Sequence, residues 1–564
     1  MSAVPAGSSS SFRPRAPEPE AQSAPVRLAH IVSVSGAQAV AVMERPANLA
    51  GKATDPRVEI GAMMMIPTAR STVLGLVSAV SVPMPDVAAG KEEIHLVELN
   101  LAGELVTDTP SRPPMFRRGV SSLPSIGDAV HMADKQALTL AYASPSSATI
   151  EVGSLYQNGS VPARLLVDDL FGKHFIIVGT TGCGKSSALT CILQGLLPDY
   201  GEARIVILDI HNEYAAAFGD KAESIDPTDL NLPFWLLNFQ ELTAAFTSND
   251  STHDSEVEIL SEAVLSAKRR YSESPSGRLR RSAVESQSVT IDAPVPFRLS
   301  DVVAYIDEHL GKLDRTVSTL PCRRLKNRID TLVSDPRYSF MFGSLMIEDT
   351  MSDVLGRLFR VPVEGKPVTV LNLAAVPAEI LDVVISVASR LAFDLAVWSD
   401  ARLPVLIVCE EAHRYAPAEV SEKFLPTRQA LSRIAKEGRK YGVSLALVTQ
   451  RPSELDPTIL SQCSTAIAMR LSTERDQTVV RANTHEGALD LLDFLPLLGD
   501  REAIVLGQGV IMPMRIRFRD LDPSRKAQTH HTGFSKAWKR SDIDKDVLEE
   551  VVRRWRSPGK AKTA

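Results

Sequence analysis

Two hydrophobic periods divide the chain. From residue 26 to about 165, apolar positions alternate in short runs. "HIVSVSGAQAVAVM" sets Ser35-Gly36 between two such runs, a hairpin signature. "IHLVELNLAGELV" and "IEVGSLYQNGSVPARLLV" repeat the idea, with turns expected at Ala102-Gly103 and Asn158-Gly159. Six or so short strands without helical spacing predict a small N-terminal β-barrel over 26–165 that acts as a structural cap. Beyond residue 165 the runs become continuous: "HFIIVG", "RIVILDI", "VTVLNL", "PVLIVCE", "VSLALVTQ", "TAIAMRL" and "EAIVLG", with helical segments between them. Such runs predict strands buried on both faces, so an α/β core with a parallel sheet is expected over 166–520. Between about 215 and 365 the pattern turns helical and more charged, with a soft spot at "YSESPSGRLRRSAVESQSVT", and predicts a helical insertion into that core. Residues 521–564 hold an amphipathic helix, "SDIDKDVLEEVVRRWR", and a basic tail, "SPGKAKTA".

Composition narrows the class. A chain of 564 residues is too long for one ordinary domain, and its 44% apolar content suffices for real cores. The net charge of −6 argues against a surface coated in basic residues, though not against a local basic channel. Five scattered cysteines without a CxxC pair read as reduced thiols of a cytoplasmic protein. Residues 1–25 are Ser, Pro and Ala without an apolar run, and read as a disordered arm. The most apolar later stretch, "AEILDVVISVASRLAFDLAVW", is interrupted by Glu379, Asp382, Arg390 and Asp394, so a core helix is expected there and no membrane span.

The chemistry begins at "GTTGCGKS", Gly179 to Ser186, which matches G-x-x-x-x-G-K-[ST] after a strand and before a helix. Glycines let successive backbone N–H groups face phosphate oxygens, and the helix start adds a positive dipole end. Gly179, Thr180, Thr181, Gly182, Cys183, Gly184, Lys185, Ser186 and Ser187 are therefore the expected ATP cradle. Lys185 would reach the β- and γ-phosphates and Ser186 would ligate Mg²⁺. A second strand, in "LIVCEEAHRY", ends on adjacent carboxylates. Glu410 would hold the metal through water, and Glu411 would orient and deprotonate the attacking water. The alternative is a pair of exposed strand-end glutamates. Gln450, at the tip of "VSLALVTQ", would touch the γ-phosphate or the water, unless it is an ordinary strand-end amide.

A long insertion separates Lys185 from Glu411, and no second nucleotide core is visible. This distinguishes the chain from DEAH-box helicases, which "EEAH" resembles superficially and which carry two tandem RecA-like domains. A single core must borrow its second wall from a neighbouring subunit, so a ring, most often a hexamer, is expected.

In order along residues 26–520 the chain carries "FRRGVSSLPSIGDAV", "KHFIIVGTTGCGKS", "ILDIHNEY", "RLKNRIDTLVSDPRYSFMF", "VTVLNLAAVPAEILDVVISVASRLAFD", "EEAHRYAP", "RIAKEGRKYGVSLALVTQRPSELDPTILSQCSTAIAMRL" and "LPLLGDREAIVLG". This series resembles the HerA-like ATPases of the HerA/FtsK group of ring-shaped DNA motors. Ile210 and Asn212 stand where that family has Pro and Gly, and Glu410 where Asp is commoner. The resemblance implies a RecA-like P-loop core behind a HerA-type barrel, and a homo-hexamer that threads duplex DNA through its pore using ATP. It also implies an arginine donated by the adjacent subunit, which in "KEGRKYG" is Arg439. A cation aimed at the γ-phosphate from across an interface is worth on the order of 10³–10⁵ in rate. The alternative for Arg439 is a solvated helix face, and Lys173 is a second candidate. Asp209 and Glu213 either border the site or, for Asp209, cap the following turn.

Pore contacts are less legible. "GRLRR" (277–281) and "RRLKNR" (323–328) are basic, but each reads first as a solvated face. An aromatic content of 5% without an aromatic-basic platform favours tracking of a duplex backbone over stacking on single-strand bases. The resemblance implies a NurA-like nuclease partner in end processing, or an effector such as a sirtuin-like protein in anti-phage defence. Two other readings stay open: an ATP-regulated assembly scaffold with little strand separation, and a conjugation-type ATPase, which would call for a membrane anchor or membrane partner.

Overall fold

The computed structural model describes residues 27–44, 58–82, 94–107, 114–143, 147–226, 231–247, 253–273, 289–312, 318–343, 347–374, 376–419, 425–483, 489–527, 535, 538–539 and 545–556. The expected N-terminal arm, the "GRLRR" stretch and the "SPGKAKTA" tail lie outside them. The chain divides into two compact bodies, one built on a barrel and one on a larger sheet.

Strands β1 (Arg27–Ser35), β2 (Gln38–Met43), β3 (Met63–Pro67), β4 (Thr72–Ser81), β5 (Leu96–Val106), β6 (Met115–Arg118) and β7 (Ala129–Met132) form the first sheet. Its order is β2-β1-β7-β3-β4-β5-β6, and an extra β2–β5 pairing closes six of the strands into a barrel. Closure removes the free edges that a short-stranded sheet would expose. Alternate positions, such as Ala39 and Ala41 or Val97 and Leu99, point into one core with Ile31, Met64, Val73 and Val130. A buried carboxylate, Glu104, accepts hydrogen bonds from the hydroxyls of Ser71 (2.8 Å) and Ser121 (2.6 Å), which ties the "FRRGVSSLPSIGDAV" segment to the barrel.

The Ser35-Gly36 expectation holds, with Gly36 left-handed at φ +59° in the β1–β2 turn. The turn expected at Ala102-Gly103 is absent, because β5 runs unbroken through it. The glycine there serves a close approach instead. A Cβ on Gly103 would lie 2.5 Å from the Phe116 ring and 2.6 Å from the Arg117 carbonyl oxygen, and the β4–β5 register slips beside it.

The larger sheet holds β8 (Thr149–Leu155), β9 (Pro162–Leu166), β10 (His174–Val178), β11 (Ile205–Asp209), β12 (Ala222–Ile225), β13 (Val368–Asn372), β14 (Val405–Cys409), β15 (Val443–Thr449), β16 (Cys463–Ala468), β17 (Glu502–Gly507) and β18 (Met514–Phe518). The order is β12-β13-β11-β14-β15-β10-β16-β17-β18-β8-β9. From β12 to β16 every pairing is parallel, and β10, β11, β13, β14 and β15 are buried at every position.

Two expectations are corrected here. The sheet is mixed, not parallel throughout. β17, the "EAIVLG" run, pairs antiparallel with both β16 and β18, and β17 and β18 are joined by a connection too short for a crossover helix. The hairpin of β8 and β9, expected in the barrel, forms the far edge of this second sheet. Gly153 permits the fit, since a Cβ on it would stand 2.1 Å from the Arg517 carbonyl oxygen of β18.

Between β11 and β13 run the helices Phe239–Phe246, His253–Glu273, Leu299–Lys312, Leu320–Ser334 and Met351–Leu358, and the same stretch lends β12 to the sheet. Phe234, Phe246, Phe297 and Phe342 pack together there, with ring centroids 5.1 Å apart for Phe234–Phe297 and 5.6 Å for Phe246–Phe342. In "RRLKNR", Lys326 pairs with Asp307 at 2.7 Å and Arg328 donates to the Ala245 carbonyl at 3.2 Å. The apolar stretch around residue 390 is a core helix, Leu381–Trp398, and among the described residues no helix is long and apolar enough to cross a membrane.

Gly103→Ala is expected to lower the thermal-unfolding midpoint measured by circular dichroism, by about 1–3 kcal/mol of stability. Gly159→Ala, with open space around its Cβ position, is expected to stay within about 0.5 kcal/mol of the parent.

Candidate functional site

The ends of β10, β11, β14 and β15 lie side by side at one edge of the parallel sheet, and the candidate site is assembled there. β10 delivers the loop Gly179–Gly184, which opens the helix Lys185–Leu196. Each glycine in "GTTGCGKS" has a distinct reason to be one. Gly182 (φ +82°) and Gly184 (φ +105°) are left-handed. Gly179 has no room for a side chain, because a Cβ would meet Cys183 Sγ at 2.6 Å and Met469 Cβ at 2.9 Å. Cys183 turns its side chain into the protein, where burial pushes its thiol pKa up, and leaves only backbone to the loop. Thr181, exposed, donates its hydroxyl to Oε1 of Gln450, so β15 delivers Gln450 directly to the loop. Lys185 is buried and its ammonium donates to the Thr180 carbonyl oxygen at 3.3 Å. Ser186 and Ser187 lie half-buried in the first helical turn.

β14 brings Glu410 and Glu411 to the same edge, both buried. The alternative of exposed strand-end glutamates is therefore excluded. Desolvation first, then the neighbouring charges of Glu411 and Glu213, raise the Glu410 pKa to about 8. Opposing this, the Tyr214 hydroxyl donates to Glu410 Oε2 at 2.6 Å, while the Tyr415 hydroxyl donates to the Glu410 carbonyl at 3.0 Å. Glu411 is held at φ +49°, a left-handed conformation costing a non-glycine residue roughly 1–2 kcal/mol. Its Oε2 has no hydrogen-bond partner. His413 Nδ1 lies 3.3 Å away, but that nitrogen is 3.0 Å from the Thr449 hydroxyl, and burial lowers the imidazole pKa, so His413 is not a firm cation for Glu411.

β11 adds a third carboxylate. Asp209 is fully buried and accepts from the backbone N–H groups of His211 (3.2 Å), Glu213 (3.2 Å) and Tyr214 (2.9 Å), so it caps the turn and does not face the site. Asn212 sits at φ +56°, which explains its place where a glycine would also serve. The turn projects Glu213, whose Oε2 accepts from the Ser186 hydroxyl at 2.8 Å, and Tyr214, which reaches Glu410.

The other candidates stand elsewhere. Arg439 is exposed near the C-terminus of the helix Leu425–Tyr441, which leads into the start of β15. Gln450 follows the far end of that seven-residue strand, so Arg439 lies roughly 20 Å or more from its own chain's phosphate loop. Lys173 stands just before β10, tied to Asp169 and Gln508. Sequence reading missed Tyr214, His413, Thr449 and two arginines beside the loop. The Arg470 carbonyl accepts from Thr180 N (2.8 Å), and Arg501 N donates to the Cys183 carbonyl (3.2 Å). "ILDIHNEY" and "LPLLGDREAIVLG" were the signals available for Tyr214 and Arg501.

Glu213, Glu410 and Glu411 thus lie beside a phosphate-type loop, and among the described residues Glu411 Oε2 has no hydrogen-bond partner. Hard oxygen donors of this kind fit a divalent cation. Among the described residues no three His, Cys, Asp or Glu converge as a metal cage.

Residues 150–392 match a family model described as "Helicase HerA, central domain". The chain is similar to the DNA double-strand break repair helicase HerA of Pyrococcus furiosus, 25% identical over 447 residues, covering 72% of this chain and 76% of that one. The HerA of Sulfurisphaera tokodaii, named likewise, is 25% identical over 503 residues, covering 85% and 91%. Among solved structures, VirB4 of Thermoanaerobacter pseudethanolicus superposes with a TM-score of 0.45 at 14% identity, covering 67% of this chain and 98% of that one.

With metal and nucleotide absent, Glu410 gives a signed pH effect. Its folded pKa lies above the value of 4.5 expected for an unfolded chain, so its contribution to stability is complete below about 4.5 and is lost as pH rises through about 8. The unfolding midpoint in EDTA is expected to fall across that window, and Glu410→Gln is expected to flatten the slope.

Proposed function

The chain belongs to the HerA-like ATPases, and from that premise we propose that it hydrolyses ATP with Mg²⁺ and uses the energy to translocate along or unwind duplex DNA. The observation that carries this reading is the burial of Glu410 and Glu411 beside the Gly179–Ser186 loop and Lys185, with Glu411 Oε2 lacking a hydrogen-bond partner among the described residues. Relatives named as DNA double-strand break repair helicases support the DNA-directed part.

In this mechanism the loop's backbone N–H groups and the Lys185 ammonium bind the phosphates. Ser186 and Glu410 would hold the metal, which when bound would withdraw negative charge from the phosphoryl oxygens. Glu411 is the general base. Its left-handed backbone and unpartnered Oε2 keep a lone pair free to take a proton from the attacking water. Gln450, anchored through Thr181, orients that water or the γ-phosphate. The cation that completes the site comes from a neighbouring subunit. Arg439, exposed and at the opposite edge of the sheet from its own loop, suits that role within a homo-hexameric ring. A nuclease or defence effector is the partner proposed for the ring.

Lys185→Ala is expected to abolish nucleotide binding in a fluorescence titration. Glu411→Gln should still bind ATP but turn it over about 10²–10⁴-fold more slowly. Normal turnover by Glu411→Gln would remove the residue from the mechanism. The motor reading is tested by the ATPase rate with and without duplex DNA, alongside displacement of a labelled strand. Stimulation with movement supports it. An unchanged rate with no displacement would hand the case to an ATP-controlled assembly scaffold. Mixing Arg439→Ala with Glu411→Gln subunits should give rates that depart from a simple average, and plain averaging would argue against a cation supplied in trans.

A further inference from the structure

The turn after β11 makes two contacts with the metal side of the site that the mechanism above does not use. Ser186 Oγ donates to Glu213 Oε2 at 2.8 Å, and Tyr214 Oη donates to Glu410 Oε2 at 2.6 Å. A serine hydroxyl that ligates a cation must offer it a lone pair, so its proton needs an acceptor on another side. A carboxylate that faces a cation through water is likewise fixed by a donor on its other oxygen. The turn supplies both partners from adjacent residues.

We propose that the turn Asp209–Tyr214 is the outer coordination shell of the magnesium site, with Glu213 orienting the Ser186 hydroxyl and Tyr214 orienting the Glu410 carboxylate. The inference rests on the ATPase reading and adds two positioning residues to it. The turn is built for the task. Asp209, fully buried, accepts three backbone N–H groups and locks the loop, and Asn212 makes the reversal at φ +56°. Tyr214 is itself fully buried, so its hydroxyl has one fixed direction. The turn springs from β11, and β14 and β15 stand between that strand and β10. Glu213 nevertheless meets the first turn of the phosphate-loop helix, 27 positions before it in the chain.

The test uses the full-length protein and a fluorescent ADP analogue, titrated with MgCl₂ and separately in EDTA. Glu213→Ala is expected to raise the Mg²⁺ concentration at half-saturation about tenfold or more, while nucleotide affinity in EDTA stays within about twofold of the parent. Glu213→Gln should recover most of the loss, because its amide oxygen still accepts the Ser186 proton. Tyr214→Phe should shift the Mg²⁺ midpoint in the same direction. An unchanged midpoint in Glu213→Ala, an equal loss with and without Mg²⁺, or a Gln variant no better than Ala would each overturn the proposal. If Glu213→Ala fails to fold, Glu213→Asp, whose carboxylate is withdrawn by one methylene, makes the same comparison. A parent protein that binds no magnesium–nucleotide would overturn the ATPase reading itself. A parent that binds, with variants that match it, overturns only the outer shell.

Discussion

Two carboxylates on consecutive residues, buried at the end of a strand, are the constraint around which this molecule is organised. Desolvation and mutual repulsion both oppose ionising Glu410, and its pKa moves up to about 8 in consequence. Glu411 adds a left-handed backbone and an oxygen without a partner. A folded protein keeps such an arrangement only when the surrounding structure determines it from several sides. Here Tyr214 and Tyr415 hold Glu410, the β14 core anchors the strand, and the phosphate loop faces the pair.

The sheet order explains how distant parts of the chain meet. With β11, β14, β15 and β10 adjacent and parallel, their C-terminal ends form one edge, where crossover helices begin and ligands of open α/β sheets gather. Tyr214 and Glu410 are 196 positions apart in the chain yet share a hydrogen bond. Arg439 and Lys173 precede strands and so stand at the other edge. A cation at that edge is separated from its own nucleotide loop by the length of a strand, whatever its rotamer.

What was legible in the sequence is what depends on local order. The strand–loop–helix run at 174–196 and the apolar strand ahead of Glu410 can be read directly, because glycine placement and continuous apolar runs constrain the backbone within a few residues. The closed barrel was likewise visible in short alternating strands. The misreadings concern partners remote in sequence. Gly103 looked like a turn, but it makes space for Phe116 on a neighbouring strand. The β8–β9 hairpin has the same alternation as a barrel strand pair, and only its neighbour β18, more than 300 residues on, decides which sheet it joins. The direction of β17 follows from its pairing with β18, which apolar periodicity cannot report. Tyr214 escaped notice because a tyrosine five residues past a buried strand has no chemistry until Glu410 is brought to it.

The phosphate loop carries a cysteine at its centre, yet Cys183 is fully buried with its sulfur packed beneath Gly179. A thiol so enclosed, and less acidic than a free one, is shielded from alkylating reagents while the loop is closed. Alkylation at this position would therefore require the loop to leave this shape, so the thiol's protection is a property of the folded nucleotide cradle.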